Sequence, residues 1–246
     1  MGHRCHDYKN LALRWRSVAR DAGIRLQTIA SADGLPVLCL KSPALEQVGG
    51  IYLSAGIHGD EPGGTEGLVA WAEKHRRSLR SLPVLIFPCL NPWGLTQNRR
   101  SDSDGHDLNR LFQNDRNPAI AAVRKIAALH RFNAALMLHE DYDGEGVYLY
   151  EHRNCEPWGD SLLSAAEAFV ARDPRTRIER RLAKNGVLSP RVTARTFAKI
   201  GLPEAVFLHG LTCNHSITFE TPSEFALEKR TAAHVAVIEK LVSLCG

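Results

Sequence analysis

Residues 50–61, GIYLSAGIHGDE, run from a short apolar segment straight into a glycine-rich turn with a histidine and a glutamate three positions apart. An apolar run of this length, bounded by turn residues, is typical of a buried strand. In both directions along the chain, short apolar runs alternate with amphipathic segments, which is the order of strands and helices in an α/β protein. The sequence therefore predicts a mixed, mostly parallel sheet flanked by helices.

Helices and strands can be predicted along most of the chain, with one long irregular stretch between them. From 91 to 117, Gly, Pro, Asn, Asp and Arg interrupt every periodic pattern, and a loop of that length is usually functional or disordered. The segment 173–195 is basic and weakly patterned. Predicted helices cover 8–22, 64–79, 118–132, 160–172 and 224–243, and predicted strands cover 36–41, 50–57, 83–90, 133–139, 146–151, 204–208 and 216–220.

Length and composition indicate a single globular domain over residues 1–246, with 44% hydrophobic and 24% charged residues. The net charge is only +4, and basic and acidic residues are interleaved, which argues against nucleic acid or a membrane surface as the main partner. The chain has neither a secretion signal nor a long apolar run, so we expect a soluble, cytoplasmic protein. Its six cysteines lie far apart with no CxxC pair, which excludes a cysteine zinc finger and argues against a disulfide framework.

The turn after the strand at 50–57 carries a candidate metal site. His58 and Glu61 stand at positions i and i+3, which a turn brings to the same side, so both side chains can bind one metal ion. Two histidines and one carboxylate are a recurrent ligand set for catalytic zinc. His139 is the natural third ligand, because it ends the buried strand 133–139 and would emerge at the same sheet edge. The alternatives are an ordinary glycine-rich loop around His58 and a hydrogen-bonded histidine at the edge of the core.

Four segments together resemble the zinc carboxypeptidases of the carboxypeptidase A superfamily. They are GIHGDE at 56–61, NPWGLTQNRRSDSDGHDLNRLF at 91–112, the strand-end His139, and SITFETP at 216–222. The second segment is the most specific, because NP, G, an Arg, then DLNR and F recur there at matching spacing. The short chain looks most like the compact bacterial branch that includes the murein peptide amidases.

The resemblance implies one zinc ion per chain and a small peptide or amino-acid-derived substrate with a free carboxylate. Zinc activates a bound water molecule, a nearby carboxylate accepts the proton of that water, and guanidinium groups bind the anions. Arg99 is the neighbour that could replace Arg100 as the oxyanion ligand. Without the resemblance, Glu220 would be interpreted as a surface glutamate and the arginines as members of a solvated ion-pair loop. The implied roles are zinc ligands for His58, Glu61 and His139, general base for Glu220, oxyanion stabilisation for Arg100, and carboxylate binding for Asn109 and Arg110.

Two other functions remain open. The first is removal of acyl groups from N-acyl amino acids by the aspartoacylase and succinylglutamate desuccinylase branch, which uses the same zinc ligands. That branch usually has Asn where this chain has Asp60, and it adds a C-terminal β-rich domain, whereas the residues after Glu220 are predicted to form one helix. The second is an inactive, zinc-containing module that binds peptides.

The mobile tyrosine of digestive carboxypeptidases has no counterpart in this sequence, because the last tyrosine of the chain is Tyr150. The sequence specifies neither the substrate side chain, nor the type of amide bond, nor the oligomeric state.

Acidic residues crowd the segment that follows His139, EDYDGEGVYLYE at 140–151. One expectation is an acidic lip beside the zinc, which would favour substrates with a basic side chain. The other is a solvated hairpin turn around Asp143 and Gly144. The residues that would form the lip are Glu140, Asp141, Asp143 and Glu145.

Overall fold

A computed structural model describes residues 5–190, 201–211 and 213–246, and strands and helices alternate along this part of the chain. A short 3-10 helix covers Leu108–Arg110. The strands are β1 (Leu26–Ala32), β2 (Leu35–Lys41), β3 (Ile51–Ala55), β4 (Val84–Phe87), β5 (Ala134–Asp141), β6 (Tyr148–Arg153), β7 (Arg177–Ile178), β8 (Arg181–Leu182), β9 (Val187–Leu188) and β10 (His215–Pro222). The helices are α1 (Tyr8–Ala22), α2 (Pro62–His75), α3 (Pro92–Gln97), α4 (Pro118–Ala127), α5 (Gly159–Ala166), α6 (Glu204–Gly210) and α7 (Leu227–Cys245).

Eight of these strands form one sheet in the order β1-β2-β4-β3-β5-β10-β6-β9. Its middle is parallel, because β3 pairs with β4 and β5, and β5 pairs with β10. Antiparallel pairs extend it on both sides, β1 with β2 and β2 with β4 on one, and β6 with β10 on the other. The predicted mixed, mostly parallel sheet is confirmed. The carboxyl ends of β3, β5 and β10 consequently lie next to one another.

Helices cover both faces of this sheet, and the central strands are buried on each side. Along β3, Ile51 and Leu53 belong to the core that includes α1, α2, α5 and α7. Tyr52, between them, belongs to the opposite core, which includes α4 and α6. This two-residue period is that of a strand covered on both faces, and it explains why the strand is apolar throughout rather than alternating with polar residues.

The structure corrects the prediction of a strand at 204–208, because these residues begin helix α6. A five-residue apolar run does not distinguish a strand from a helix, and here the helical spacing buries Ala205 and Leu208 together. The prediction also missed edge strand β1, and it missed α3 inside the predicted loop. Within the basic segment, β7, β8 and β9 are present, and residues 191–195 lie outside the described residues. No helix in the described ranges has the length and apolarity needed to cross a membrane.

Candidate metal centre and active site

The carboxyl ends of three neighbouring strands bring together the residues that could carry chemistry. β3 ends before the turn that holds His58 and Glu61, and α2 begins directly after it. His139 lies towards the end of β5 and Glu220 towards the end of β10, and the two residues are paired across these parallel strands. In α/β sheets, this edge is where ligand sites usually form.

Glycines allow the turn after β3 to pack tightly. Gly56 has a φ of 61°, a conformation that disfavours a side chain. At Gly59 an added Cβ would collide with the backbone of Gly94, and the Gly59 N–H donates to the carbonyl of Arg99 at 3.0 Å. The turn that carries two candidate ligands is thereby held against the loop 91–112.

His58, Glu61 and His139 form a compact, buried cluster. Nδ1 of His58 lies 2.6 Å from Oε1 of Glu61, and Nδ1 of His139 lies 2.8 Å from Oε2 of the same carboxylate. The potential ligand atoms of the three residues all lie within 4.8 Å of one another. Two imidazole nitrogens and a carboxylate that converge in this way fit a divalent metal, and zinc takes this donor set in catalytic sites.

The charges within this cluster are strongly interdependent. Burial alone would raise the pKa of Glu61, but His58 and His139 hold that pKa well below its usual range. Burial likewise opposes protonation of the histidines, yet Glu61 and Asp107 raise the pKa of His58 to about 9, and Glu61 raises the pKa of His139. The carboxylate therefore attracts positive charge to this point. A metal ion would displace the histidine protons, since it binds deprotonated ring nitrogens.

One carboxylate that the sequence analysis missed contacts the first histidine. Oδ1 of Asp107 lies 3.1 Å from Nε2 of His58, the ring nitrogen that does not face Glu61. Metal-binding histidines usually donate their second ring N–H to a carboxylate or carbonyl, which fixes the tautomer and the ring orientation. Asp107 is the first residue of the motif DLNR at 107–110, in which only Asn109 and Arg110 were assigned a role from the sequence.

Glu220 lies beside the cluster and lines the same cavity. Burial raises the pKa of its carboxyl group to about 8, with His139 acting in the opposite direction and the negative charges of Glu61 and Asp141 adding to the rise. A carboxyl group with a pKa near neutrality can both accept and return a proton. The structure thus brings Glu220 next to the candidate ligands, where a general base would be required.

Two arginines of the long loop reach this cavity. Nη1 of Arg100 lies 3.4 Å from Oε1 of Glu61, and its Nη2 lies 3.2 Å from Oδ2 of Asp107. About half of the Arg100 side chain is exposed, so it can also contact a substrate. Arg110 lines the cavity as well, whereas Arg99 does not. Of the two candidates for the oxyanion, Arg100 is therefore the one with its guanidinium beside the cluster.

Asn109 is also at the cavity, but part of its amide is already used. Its Oδ1 accepts a hydrogen bond from the backbone N–H of Glu204 at 2.9 Å, at the start of α6. The carboxyl group of Glu204 is buried and accepts from the hydroxyl of Tyr52 at 2.5 Å. Asn109 therefore joins the loop to α6, and only its NH2 group could donate to a substrate anion.

The cavity above the cluster has a volume of about 240 Å³, and two tyrosines of β6 line it. The hydroxyl of Tyr148 donates to Oδ2 of Asp141 at 2.9 Å, and that of Tyr150 donates to Oε2 of Glu179 at 2.8 Å. Neither tyrosine was expected at the site, because the tyrosine of digestive carboxypeptidases would lie after Tyr150 in this chain. The phenol groups at this cavity come instead from the strand next to β10.

Of the four residues of the predicted acidic lip, Glu140 and Asp141 line the cavity, whereas Asp143 and Glu145 do not. Glu140 is buried, and its carboxylate accepts a hydrogen bond from Arg230 rather than facing solvent. Asp143 and Glu145 are exposed and do not line the cavity, which agrees with the alternative of a solvated turn. Asp141 remains at the cavity, where it accepts from a tyrosine hydroxyl. The predicted lip of four solvent-facing carboxylates beside the zinc ligands is therefore wrong.

One protein family model matches the part of the chain that holds the candidate zinc ligands. The family model "Succinylglutamate desuccinylase/Aspartoacylase catalytic domain" matches residues 47–145, which include all three candidate zinc ligands. No curated protein matches the chain significantly by sequence. The matched family is the deacylase branch that was one of the two alternatives above.

Solved structures share the fold over almost the whole chain. A protein of Shewanella amazonensis SB2B, described as a "putative metallopeptidase", is 18% identical with a TM-score of 0.86, over 98% of this chain and 94% of that one. A metallo-carboxypeptidase from Burkholderia cenocepacia is 15% identical with a TM-score of 0.69, over 94% and 67%. A murein-tripeptide amidase from Escherichia coli O157 is 19% identical with a TM-score of 0.59, over 88% and 91%. At these identities the likeness shows a common fold, and it confirms the resemblance to the carboxypeptidases at the level of the fold.

Proposed function

We propose that this chain, which has the zinc carboxypeptidase-like fold, is a zinc-dependent hydrolase that cleaves an amide bond next to a free carboxylate. It would act as a metallocarboxypeptidase or a peptide amidase with one zinc ion per chain. The observation that carries the proposal is the convergence of His58, Glu61 and His139 beside Glu220 at one sheet edge. The metallo-carboxypeptidase and amidase structures with the same fold support this reaction class.

Each residue of the site has a chemical task in this reaction. Zinc bound by the cluster would polarise the scissile carbonyl and lower the pKa of a bound water molecule towards about 7. Glu220 accepts a proton on its carboxylate and returns it to the leaving amine. Arg100 directs N–H donors towards the negative charge that develops on the carbonyl oxygen. Asp107 holds the ring of His58 in place.

Arg110 is the proposed ligand for the free carboxylate of the substrate. Its Nη1 donates to the carbonyl of Asn109 at 2.9 Å, and its charge is one of those that lower the pKa of Asp107. A guanidinium group that lines the cavity can bind a carboxylate through two parallel hydrogen bonds. The NH2 group of Asn109 is a second donor on the same side of the cavity.

The test is hydrolysis of a substrate panel by the zinc-loaded protein. The panel contains N-blocked peptides, murein tripeptide and N-acyl amino acids, each with a free carboxylate and as its carboxamide. We expect turnover of substrates with the free carboxylate, loss of turnover after chelation, and recovery when zinc is added back. Glu220→Gln is the matched control, since it should retain zinc without turning over. Equal turnover of acid and carboxamide would contradict carboxylate recognition, and activity that survives chelation would contradict the zinc mechanism.

Deacylation of N-acyl amino acids is a second candidate function, and the family-model match over residues 47–145 favours it. Both candidates need the same metal, base and anion-binding groups, so the site geometry does not separate them. The ratio of kcat/KM for N-acyl amino acids to that for peptides in the same panel decides between them. Zinc and peptide binding without any turnover would instead indicate a peptide-binding module.

The proposed location is the cytoplasm. No disulfide joins cysteines in the described part of the chain. Reduced cysteines are usual for proteins of a reducing compartment, whereas secreted domains commonly use disulfides. Fractionation of native host cells that express the protein would test this location.

A further inference from the structure

A second group of reactive side chains lies at the opposite end of β10 from the zinc ligands. β10 begins at His215, whereas Glu220 is five residues further along, a distance of about 17 Å in an extended strand. The thiol of Cys155 is exposed, and its Sγ lies 2.9 Å from Nε2 of His215. Neither residue lines the cavity of the candidate active site. This thiol–imidazole pair is therefore independent of the proposed hydrolase function.

The imidazole of this pair is held in a fixed orientation. His215 is only 3% exposed, and the ring of Trp158 stacks on it with centroids 3.6 Å apart and an interplanar angle of 14°. On the far side of the ring, Nδ1 lies 3.7 Å from Oε1 of Glu151. The same Oε1 accepts from the backbone N–H of Trp158 at 2.7 Å, which fixes the carboxylate. Carboxylate, imidazole and thiol thus follow one another in space.

Two polar atoms of this arrangement are buried without a hydrogen-bond partner. They are Nδ1 of His215 and Oε2 of Glu151. Such atoms are rare in folded proteins and cost free energy, so their presence calls for a compensating role. An imidazole that accepts the thiol proton on Nε2 carries its own hydrogen on Nδ1, on the side of the ring that faces Glu151. The Glu151 carboxylate therefore lies where it can orient the ring for this proton transfer.

Three further side chains belong to the surroundings of the pair. The indole of Trp158 covers one face of the imidazole ring. The guanidinium of Arg153 is close by, since its Nη1 donates to the carbonyl of Cys155 at 2.6 Å and its Nε lies 3.6 Å from Oε2 of Glu151. Glu156, an acidic residue, directly follows Cys155 in the chain.

One further thiol touches the pair from the loop before β10. Sγ of Cys213 donates to the carbonyl of His215 at 3.2 Å. Cys213 is buried, and burial raises the pKa of its thiol to about 12. It is therefore a neutral neighbour, and of the two thiols only Cys155 is both exposed and in contact with the imidazole.

We propose that Cys155 is a modification site, at which His215 takes the thiol proton and the sulfur reacts with small hydroperoxides. The sulfur attacks one peroxide oxygen, the S–O bond forms while the O–O bond breaks, and the departing oxygen receives the proton from His215. Sulfur is oxidised by two electrons to a sulfenic acid, and the hydroperoxide is reduced to an alcohol or water. The exposed position of Cys155 gives the hydroperoxide access, and the buried histidine supplies the proton transfer.

The first test is alkylation by iodoacetamide at pH 6.5, with each cysteine followed by mass spectrometry. Cys245 is the internal reference, since burial raises the pKa of its thiol to about 11. We expect Cys155 to react at least about 10-fold faster than Cys245. His215→Gln should slow Cys155 by about 10-fold at pH 6.5 and much less at pH 9. A merely structural role for His215 predicts the opposite result, because a looser fold would expose the thiol and speed its alkylation.

The second test is exposure to hydrogen peroxide followed by dimedone, which labels sulfenic acids. The adduct is expected on Cys155 and should be lost in His215→Gln at pH 6.5. Cys155→Ser should lose the adduct while keeping the zinc content and hydrolase activity of the unchanged protein. The proposal is overturned if Cys155 reacts no faster than Cys245, or if the adduct is spread evenly over the cysteines. If His215→Gln does not fold, the pH profile of the Cys155 alkylation rate in the unchanged protein decides. A rate that falls about tenfold per pH unit from 8 to 6 would show a thiol without help from the imidazole, and would overturn the proposal.

Discussion

Replacing Arg230 of α7 with methionine should destabilise the protein strongly, although this residue is far from the zinc ligands in the sequence. Nη1 of Arg230 donates to Oε1 of Glu140, and its Nε donates to the carbonyl of Phe225 at 2.8 Å. The side chain of Glu140 is fully buried and that of Arg230 is 10% exposed. Methionine would fill much of the space, but it would leave a buried carboxylate without a cation.

The size of the effect follows from that uncompensated charge. Breaking a buried ion pair by removing one partner costs about 3–5 kcal/mol. In a protein of this size, each kcal/mol lowers Tm by about 2–4 °C, so the expected decrease is about 6–20 °C. Arg230→Lys keeps the charge and should cost less. Glu140→Gln together with Arg230→Met should recover most of the loss, because the amide is neutral and can still accept from the N–H of Gly63.

Urea unfolding of the metal-free protein is the appropriate assay, since bound zinc would add its own binding free energy to the stability. Lys74→Met is the matched control, because its ion pair with Glu239 is exposed, with 62% and 36% of the two side chains accessible. That exposed ion pair should contribute about 1 kcal/mol or less to the free energy of unfolding. A loss for Arg230→Met no larger than for Lys74→Met would refute the reasoning. So would a double variant as unstable as Arg230→Met alone.

Four further predictions concern the metal, the reaction and the pH dependence of stability. His139→Ala should lose most of the one zinc ion per chain by elemental analysis, and full retention would remove this residue from the ligand set. Glu220→Gln should fold and bind zinc but lose about 10²–10⁴-fold in kcat, because an amide cannot accept the proton, and a near-normal kcat would contradict its role as base. Arg110→Ala should mainly raise KM for substrates with a free carboxylate, whereas an equal effect on their carboxamides would exclude carboxylate binding. Burial, aided by Arg230, lowers the pKa of His234 to about 3, so the folded protein keeps it neutral while the unfolded chain protonates below pH 6.5. Its contribution to stability is thus fully present above pH 6.5 and falls by up to about 1.4 kcal/mol per pH unit towards pH 3. His234→Gln should flatten the stability curve in that range, and parallel curves would contradict the assignment.

The strands at the centre of the sheet could be predicted because their apolar composition is itself a consequence of burial on both faces. Strands β3, β4 and β5, predicted at 50–57, 83–90 and 133–139, are of this kind. The segment 204–208 has a similar composition but is helical, since a short apolar run matches either structure. Which one forms depends on its surroundings, and here the N-terminus of the helix is joined to Asn109 by a hydrogen bond from far along the chain.

The sequence by itself determined the meeting of His58, Glu61 and His139, because strands that run in parallel must end at the same sheet edge. The tertiary structure alone decided which charges nearby face solvent and which are neutralised. Glu140 follows a candidate ligand and looks like part of an acidic surface, yet its cationic partner lies 90 positions away on α7. The thiol–imidazole pair likewise joins residues 60 positions apart. Spacing along a chain specifies neighbours within a strand or a turn, but contacts between distant segments are set by how helices and strands pack, which no local pattern records.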